Sequence, residues 1–316
     1  MSMEKAQFLW AEYTSLNVIL MKGASMELQN TRRKAVVMLV LTAALWSSSG
    51  LLIKLVSWGP LPILGIRSFI AGLLFLVYLR RIDLRFSRYH IFGALCYVVT
   101  NLCFIAATKL TSAANAIFLQ YACPVYVVLF GYWLLKEKPR RADWVALAVI
   151  IIGLAFFFGD KLSFNGFYGN ILAIVSGVAF AGTMVFMRMQ RDGQPARTLL
   201  LGNFLSALVG LPFLFFEKSY PATDFVILLY LGIFQIGLSF LLYSLAIQHI
   251  HALEANLILT LEPILNSIWV FLALGEKPGP LALFGSLLVI GAVIFRAAVS
   301  ARGSAAAPIA GESASL

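Results

Sequence analysis

Residues 121–139 read YACPVYVVLFGYWLLKEKP, and residues 260–278 read TLEPILNSIWVFLALGEKP. Each stretch places a proline, Pro124 or Pro263, inside a long apolar run. Thirteen residues later each reaches the same tripeptide, Glu137-Lys138-Pro139 or Glu276-Lys277-Pro278. Apolar segments match one another by chance, but polar punctuation at a fixed spacing does not. The chain therefore reads as two versions of one unit.

The match extends outward. With residues 93–139 set on 232–278, Gly93 meets Gly232, Leu102 meets Leu241 and Ala107 meets Ala246, while Ala113 and Ala116 meet Ala252 and Ala255. Upstream, Trp46 stands eight residues before Lys54 as Phe180 stands eight before Arg188. Downstream, Val149 to Gly153 resembles Leu287 to Gly291.

The 316 residues are 61% hydrophobic and 12% charged, with a mean hydropathy of +0.90. Soluble domains are nearer ~45–50% apolar and ~25% charged, so the solvent for this chain is lipid. A helix needs roughly 20 residues to cross ~30 Å of hydrocarbon. Ten runs qualify: 35–56, 60–79, 90–108, 112–135, 143–159, 167–187, 198–216, 224–247, 252–275 and 280–299. The expected fold is an all-α membrane protein of ten transmembrane helices. A first repeat occupies 35–159 and a second 160–299, five helices each. Five is odd, so the second copy enters the membrane inverted, as in transporters whose halves rock to open either face.

The net charge of +10 orients the protein and does not imply nucleic acid as a partner. With the N-terminus inside, sixteen basic residues fall on the cytoplasmic side, among them Arg32, Arg33, Lys34, Arg80, Arg88, Lys138, Arg188 and Arg296. Four fall opposite: Lys109, Lys161, Lys218 and Lys277. This positive-inside bias places both termini in the cytoplasm. Cys96, Cys103 and Cys123 all lie within spans and read as small packing residues. Residues 1–34 form a cytoplasmic lead-in. Residues 1–25 lack the continuous apolar core of a signal peptide, and Met26 is the expected true start. The alternative for that segment is an interfacial helix using Phe8, Leu9, Trp10 and Leu16. The Ala/Ser-rich tail, 300–316, is expected to be a disordered cytoplasmic end.

Ala44-Leu-Trp-Ser-Ser-Ser-Gly50 with Lys54 closing the span, Ile66-Arg67-Ser68-Phe69, and the twice-seen alanine–proline–Glu-Lys pattern resemble the EamA group of the drug/metabolite transporter superfamily. The resemblance covers roughly 35–299. It implies ten helices in inverted halves, a bacterial inner (plasma) membrane location, and efflux of small metabolites, often amino acids. One departure stands out: Lys136 occupies the place held by Gly275 in the second copy.

Polar residues inside the apolar runs are the candidate site. Glu262 precedes Pro263, and a charged carboxylate at mid-bilayer costs ~2.5–3.5 kcal/mol on insertion scales. It reads either as a proton-coupling or amine-binding group, or as a structural partner for backbone freed by Pro263. Arg67, in the second span, and Lys54, ending the first, are gate or anion-binding candidates; snorkelling and interfacial anchoring are their structural alternatives. The substrate-binding candidates are Trp46, Tyr97, Asn101, Gln120, Tyr121, Phe180, Gln235, Ser239, Tyr243 and Asn266. Spans 1, 3, 4, 6, 8 and 9 carry most of them, and spans 5 and 10 almost none, which points to a central cavity. Interhelical hydrogen bonding is the structural alternative for each alone.

No phosphate-binding Gly-x-x-x-x-Gly-Lys-Ser/Thr loop and no His-Glu-x-x-His occurs. The sequence therefore predicts no cofactor, no metal, and no enzyme. A receptor would lack the inverted repeat. The expected function is secondary export of an amino acid or related amphiphile by alternating access, with facilitation or uptake of a metabolite or cationic drug as the alternative. Monomer and homodimer both remain open.

Overall fold

The computed structural model describes residues 30–80, 86–111, 113–159, 166–190, 194–265 and 279–306. No strand occurs among them. Eight helices are long and apolar enough to cross a membrane: α1 (Asn30–Leu55), α2 (Pro60–Leu79), α3 (Arg88–Leu110), α4 (Ala116–Leu135), α5 (Arg141–Phe158), α6 (Phe167–Arg188), α7 (Ala196–Phe216) and α8 (Ala222–Ala246). Two more elements follow, α9 (Ala252–Leu259) and α10 (Pro280–Ala306). The apolar part of α10, Pro280–Arg296, is shorter than those eight. The expected ninth span, 252–275, runs beyond the described residues, as does the second Glu-Lys-Pro tripeptide. The chain is thus a multi-pass helical membrane protein with eight clear candidate spans among the described residues.

The helix surfaces fit that solvent. Val77, Leu208 and Leu287 are exposed on their outer faces, which lipid tolerates and water does not. Trp133 and Trp144 sit exposed at one end of the bundle, and Tyr168 and Tyr220 at the other, the arrangement of interfacial aromatic belts.

Helices of the two halves pack on one another in matched pairs. α2 packs on α7 and α5 on α10, while α3 packs on α7 as α2 does on the middle of α8. Two of these contacts are backbone to backbone. A Cβ on Gly210 would lie 2.4 Å from the Gly65 nitrogen, and one on Gly285 would lie 2.3 Å from the Gly153 oxygen. Small residues let membrane helices approach this closely. Gly210→Leu is accordingly expected to prevent the α2–α7 contact, since overpacking costs ~1–3 kcal/mol even where side chains can shift, and here the obstacle is backbone. Size-exclusion profiles in detergent test this. A monodisperse Gly210→Leu peak at wild-type yield would show that the helices separate freely.

Local breaks in the helices follow from particular residues. Ser47 and Ser48 donate to the carbonyls of Ala44 and Leu45, at 2.6 and 2.9 Å, and α1 loosens into a turn there. α4 turns at Tyr121–Ala122 beside Pro124, and the ninth segment turns at Thr260–Leu261 beside Pro263. α4 ends in a π-helical turn, Gly131–Leu135, capped by Lys136 in the left-handed region at φ 56°. Glycine is the residue suited to that conformation. Gly275 occupies the place in the second copy, so Lys136 bears a cost that its counterpart's sequence avoids.

Candidate functional site

Seven helical segments enclose one cavity: α1, α2, α3, α4, α6, α8 and the α9 segment up to Glu262. Among the described residues, α5, α7 and α10 contribute nothing to its wall. Its free volume is about 50 Å³, room for a few waters, against ~300 Å³ or more for ordinary small-molecule sites.

One end is built around Arg67, which is 1% exposed. Its Nη2 donates to Asn101 Oδ1 at 2.6 Å and its Nη1 to Gln235 Oε1 at 3.4 Å. Asn101 is itself fixed, because its amide donates to Tyr97 O one turn back at 3.0 Å. Gln235 lies in a π-helical stretch of α8, Leu231–Leu238; such stretches often mark functional positions. Among the described residues, Arg67 Nε has no hydrogen-bond partner.

The other end is built around Glu262. The Tyr121 hydroxyl lies 2.8 Å from Glu262 Oε2 and 2.9 Å from Leu259 O. Leu259 is the residue four before Pro263, so its carbonyl is the one that the proline leaves without a helical donor. Asn256 turns its amide nitrogen to Cys123 Sγ at 3.3 Å and Met184 Sδ at 3.1 Å, and its Oδ1 is buried without a partner among the described residues. Between the ends stand aromatic rings. Trp46 lies 5.5 Å from Phe180 and 4.8 Å from Phe240, centroid to centroid.

The sequence candidates distribute as follows. Trp46, Asn101, Gln120, Tyr121, Phe180, Gln235, Glu262 and Arg67 are on the cavity wall. Tyr97, Ser239 and Tyr243 are buried behind it. Tyr97 donates to Asn203 Oδ1 at 3.0 Å, Ser239 Oγ accepts from Trp46 Nε1 at 2.7 Å, and the Tyr243 ring is 6.2 Å from Trp46. Lys54 lies away from the cavity, with its Nζ 3.4 Å from Thr111 O. Asn266 lies outside the described residues. Ser49, Thr100, Phe104, Cys123, Ile236, Phe240 and Asn256 complete the wall and are not among the candidates. Asn256 is six residues before Glu262, which on an unbroken helix puts the two on different faces; the turn at Thr260 brings them together.

Both ends of the bundle are tied above and below the cavity. On one face, Arg188 donates to Ile247 O and Gln248 O at 2.7 and 2.9 Å and pairs with Glu137 at 3.3 Å. His251 Nδ1 is 3.2 Å from the same carboxylate. Beside them Arg296 pairs with Asp143 and Arg32 with Glu254, and Arg296 lies 4.0 Å from Glu254. On the opposite face, Asp224 Oδ2 accepts from Ser57 N and Oγ at 2.9 and 2.6 Å, Glu217 accepts from Gly59 N at 2.8 Å, and Lys109 donates to Val56 O at 2.6 Å. Among the described residues no cluster of His, Cys, Asp and Glu is arranged to hold a metal ion.

Burial pushes the Glu137 carboxyl up, but the His251 hydrogen bond and charge, with Arg188, outweigh it and hold the group below its ordinary value of 4.5. A depressed carboxylate stabilises the fold above its unfolded pKa and loses that contribution as pH falls through the folded value. The melting temperature of wild type is therefore expected to exceed that of Glu137→Gln at neutral pH, with the gap closing below pH 4.5. A gap independent of pH would show that Glu137 acts through packing alone.

A multi-pass helical bundle that encloses a polar, aromatic-walled cavity at the meeting of its two halves is built as a membrane transport protein. The sequence profile of the EamA-like transporter family matches the chain twice, over residues 33–159 and 167–297, and the chain belongs to that family. Similar proteins include the pseudopaline exporter CntI of Pseudomonas aeruginosa, 27% identical over 83% of this chain and 95% of its own length. The threonine/homoserine exporter RhtA of Escherichia coli is 23% identical over 82% and 88%. An uncharacterised transporter of Clostridium kluyveri is 24% identical over 60% of this chain, which spans 65% of that relative's length. A solved crystal structure superposes with a TM-score of 0.72, covering 85% of this chain and 98% of its own at 20% identity, and shares the fold.

Proposed function

We propose that this protein is a proton-coupled secondary transporter that exports a small organic metabolite, an amino acid or related amphiphile, by alternating access through the Arg67–Glu262 cavity. The observation that carries the reading is the hydrogen-bond accounting at Tyr121. Its hydroxyl has one proton and two acceptor neighbours. Leu259 O can only accept, and leaving it unpaired costs ~1–3 kcal/mol. In the proposed resting state the hydroxyl donates to Leu259 O, and Glu262 carries a proton and donates to the hydroxyl. A carboxylate that holds a proton in the contracted cavity and faces the pathway is a carrier for that proton.

The transport cycle follows from the halves. The proposed architecture is ten helices in two inverted repeats with both termini cytoplasmic. Lys54, ending α1, reaches Thr111 O between α3 and α4; Arg188, ending α6, reaches Ile247 O and Gln248 O between α8 and α9. These contacts occupy corresponding places in the two halves and lie on opposite faces, which supports inversion. The two relatives named as exporters support the direction. With about 50 Å³ free, the cavity must widen to admit solute, and loosening either face's ties opens it to that side.

Solute flux into proteoliposomes tests the reading, with a pooled amino-acid panel and with or without an imposed pH gradient. Uptake that rises at least tenfold with the gradient is expected. Flux indifferent to the gradient would make the protein a facilitator and return Glu262 to a structural role.

A further inference from the structure

The Glu137 face of the bundle holds a second cavity, apart from the central one. It lies where the α4–α5 connection meets the start of α9 and the end of α10, and its free volume is about 150 Å³. That is room for a tetrahedral oxyanion with a few waters, a water's share of liquid volume being ~30 Å³. Neither Arg67 nor Glu262 is on its wall.

Two independent features of that wall call for negative charge. The first is Arg296, 5% exposed. Its Nε pairs with Asp143 and its Nη2 lies 4.0 Å from Glu254, but its Nη1 is buried with no hydrogen-bond partner among the described residues. An unpaired buried N–H carries a desolvation cost that an acceptor in the cavity removes. The second feature is the start of α9. His251 is its N-cap, and that side chain makes no capping hydrogen bond. Ala255 N is bonded to His251 O, so the N–H groups of Ala252 and Leu253, before it, find no acceptor inside the helix. Both residues line the cavity. Such a terminus carries partial positive charge and presents donors to an anion.

The carboxylates on the wall do not fill this role. Glu137 is matched by Arg188 and His251, Asp143 by Arg296 Nε and Arg140 N, and Glu254 by Arg32. Lys138 and Arg140 also line the cavity and are exposed. Five bases thus meet three acids in this layer, a net charge of +2 with His251 counted as neutral.

We propose that this cavity is a second binding site, which takes a phosphate group. Arg296 Nη1 and the Ala252 and Leu253 N–H groups bind its oxygens, and Lys138 and Arg140 draw the charge in. Donors from α9, α10 and the α4–α5 connection suit an anion with several oxygens better than a spherical halide. In the alternating-access reading, a phosphate here links segments that separate on this face and so favours the state closed on that side. Soluble phosphate and the headgroup of an anionic phospholipid offer the same chemistry. Trp133 and Trp144, exposed at this end, set the site at the interface, where both are available.

The test is thermal unfolding of the purified full chain in a neutral detergent. Sodium phosphate is compared with sodium chloride of matched ionic strength, and dioctanoyl phosphatidylglycerol with dioctanoyl phosphatidylcholine. At least one phosphate probe, at about 10 mM, is expected to raise the melting temperature by about 3 °C or more above its control. A rise with phosphatidylglycerol alone assigns the site to a lipid headgroup. A rise with inorganic phosphate, with or without the lipid response, assigns it to the phosphate group itself. Arg296→Lys keeps a cation beside Asp143 but gives up the free Nη1, and is expected to remove most of the shift. Should that variant fail to fold, Ala252→Pro takes away one N–H at a helix position that proline fits, and is expected to weaken binding about threefold or more. Arg67→Gln, in the other cavity, is expected to keep the full shift. No rise beyond the controls overturns the inference. A shift that survives both Arg296→Lys and Ala252→Pro, or that is lost in Arg67→Gln instead, overturns it too. None of these measurements depends on flux, so failure here leaves the transport reading in place.

Discussion

Glu262→Gln is expected to reduce pH-gradient-driven flux to the level of empty liposomes while the melting temperature stays within about 2 °C of wild type, less than ~1 kcal/mol for a chain of this size. The argument is atomic. In the proposed resting state, with Glu262 protonated, the Tyr121 hydroxyl donates to Leu259 O and accepts from Glu262; the distances to both oxygens, 2.9 and 2.8 Å, fit that arrangement. A glutamine presents an N–H where the protonated carboxyl presents its O–H, so the local network closes as before, and nothing is left that can be released. Tyr121→Phe makes the opposite split. It strands the Leu259 carbonyl beside Pro263, costing ~1–3 kcal/mol, so the melting temperature falls, yet the titrating carboxyl remains. If Glu262 were only a brace for the proline break, the stability loss would fall on Glu262→Gln and the gradient response would survive it. Flux and melting measured on both variants separate the two roles.

Much of this site was legible in the sequence because the lipid phase makes polar residues scarce. Arg67, Asn101, Gln235, Tyr121 and Glu262 each interrupt an apolar run, and the structure gathers them at one cavity. Their pairing was not legible. Arg67 and Asn101 are separated by 34 positions, Tyr121 and Glu262 by 141, and no local period connects such residues. Tyr97, Ser239 and Tyr243 carry the same residue-type signal and end up behind the wall, because a helix face is set by its neighbours and not by its own composition. Asn256 was missed for a different reason. Its counterpart in the first copy is the apolar Ile117, so the repeat gave no echo, and helical periodicity turns it away from Glu262 until the Pro263 break is known. The ion pairs of the Glu137 face were hidden among residues that read as loop charges or topology signals. Arg296 counted toward the positive-inside bias, and nothing in its surroundings announced Asp143, 153 positions away.

Those buried charges carry the second large expected effect. Arg296 and Asp143 are 5% and 6% exposed, and Glu254 is 2% exposed. Asp143 also accepts from Arg140 N at 2.7 Å, capping the start of α5. The group thus joins α1, the α5 entry, α9 and α10 through Arg32, Asp143, Glu254 and Arg296. Arg296→Leu removes the cation and leaves the Asp143 carboxylate buried and unmatched, a loss of ~3–5 kcal/mol for a broken buried pair. At ~2–4 °C per kcal/mol for a chain of this size, the melting temperature should drop by about 10 °C. Asp143→Leu should cost a similar amount, because it leaves the guanidinium only Glu254 at 4.0 Å and removes the cap of α5 as well. The double variant distinguishes pairing from bulk. If the loss is the penalty of an unmatched charge, removing both charges recovers part of it, and the double variant melts above the value that summing the singles predicts, by ~1–3 kcal/mol of coupling. Glu254 retains Arg32 in that variant, so no new orphan is created. Strict additivity would mean that water reaches both groups and that the α5–α10 contact holds by its glycine crossing, Gly153 against Gly285, alone. Recovery would identify the ionic layer as the element that fixes α10 and α9 to the first half on this face. In the proposed alternating-access cycle, that is the set of contacts that would break, at a cost for solute binding to offset, when the cavity opens there.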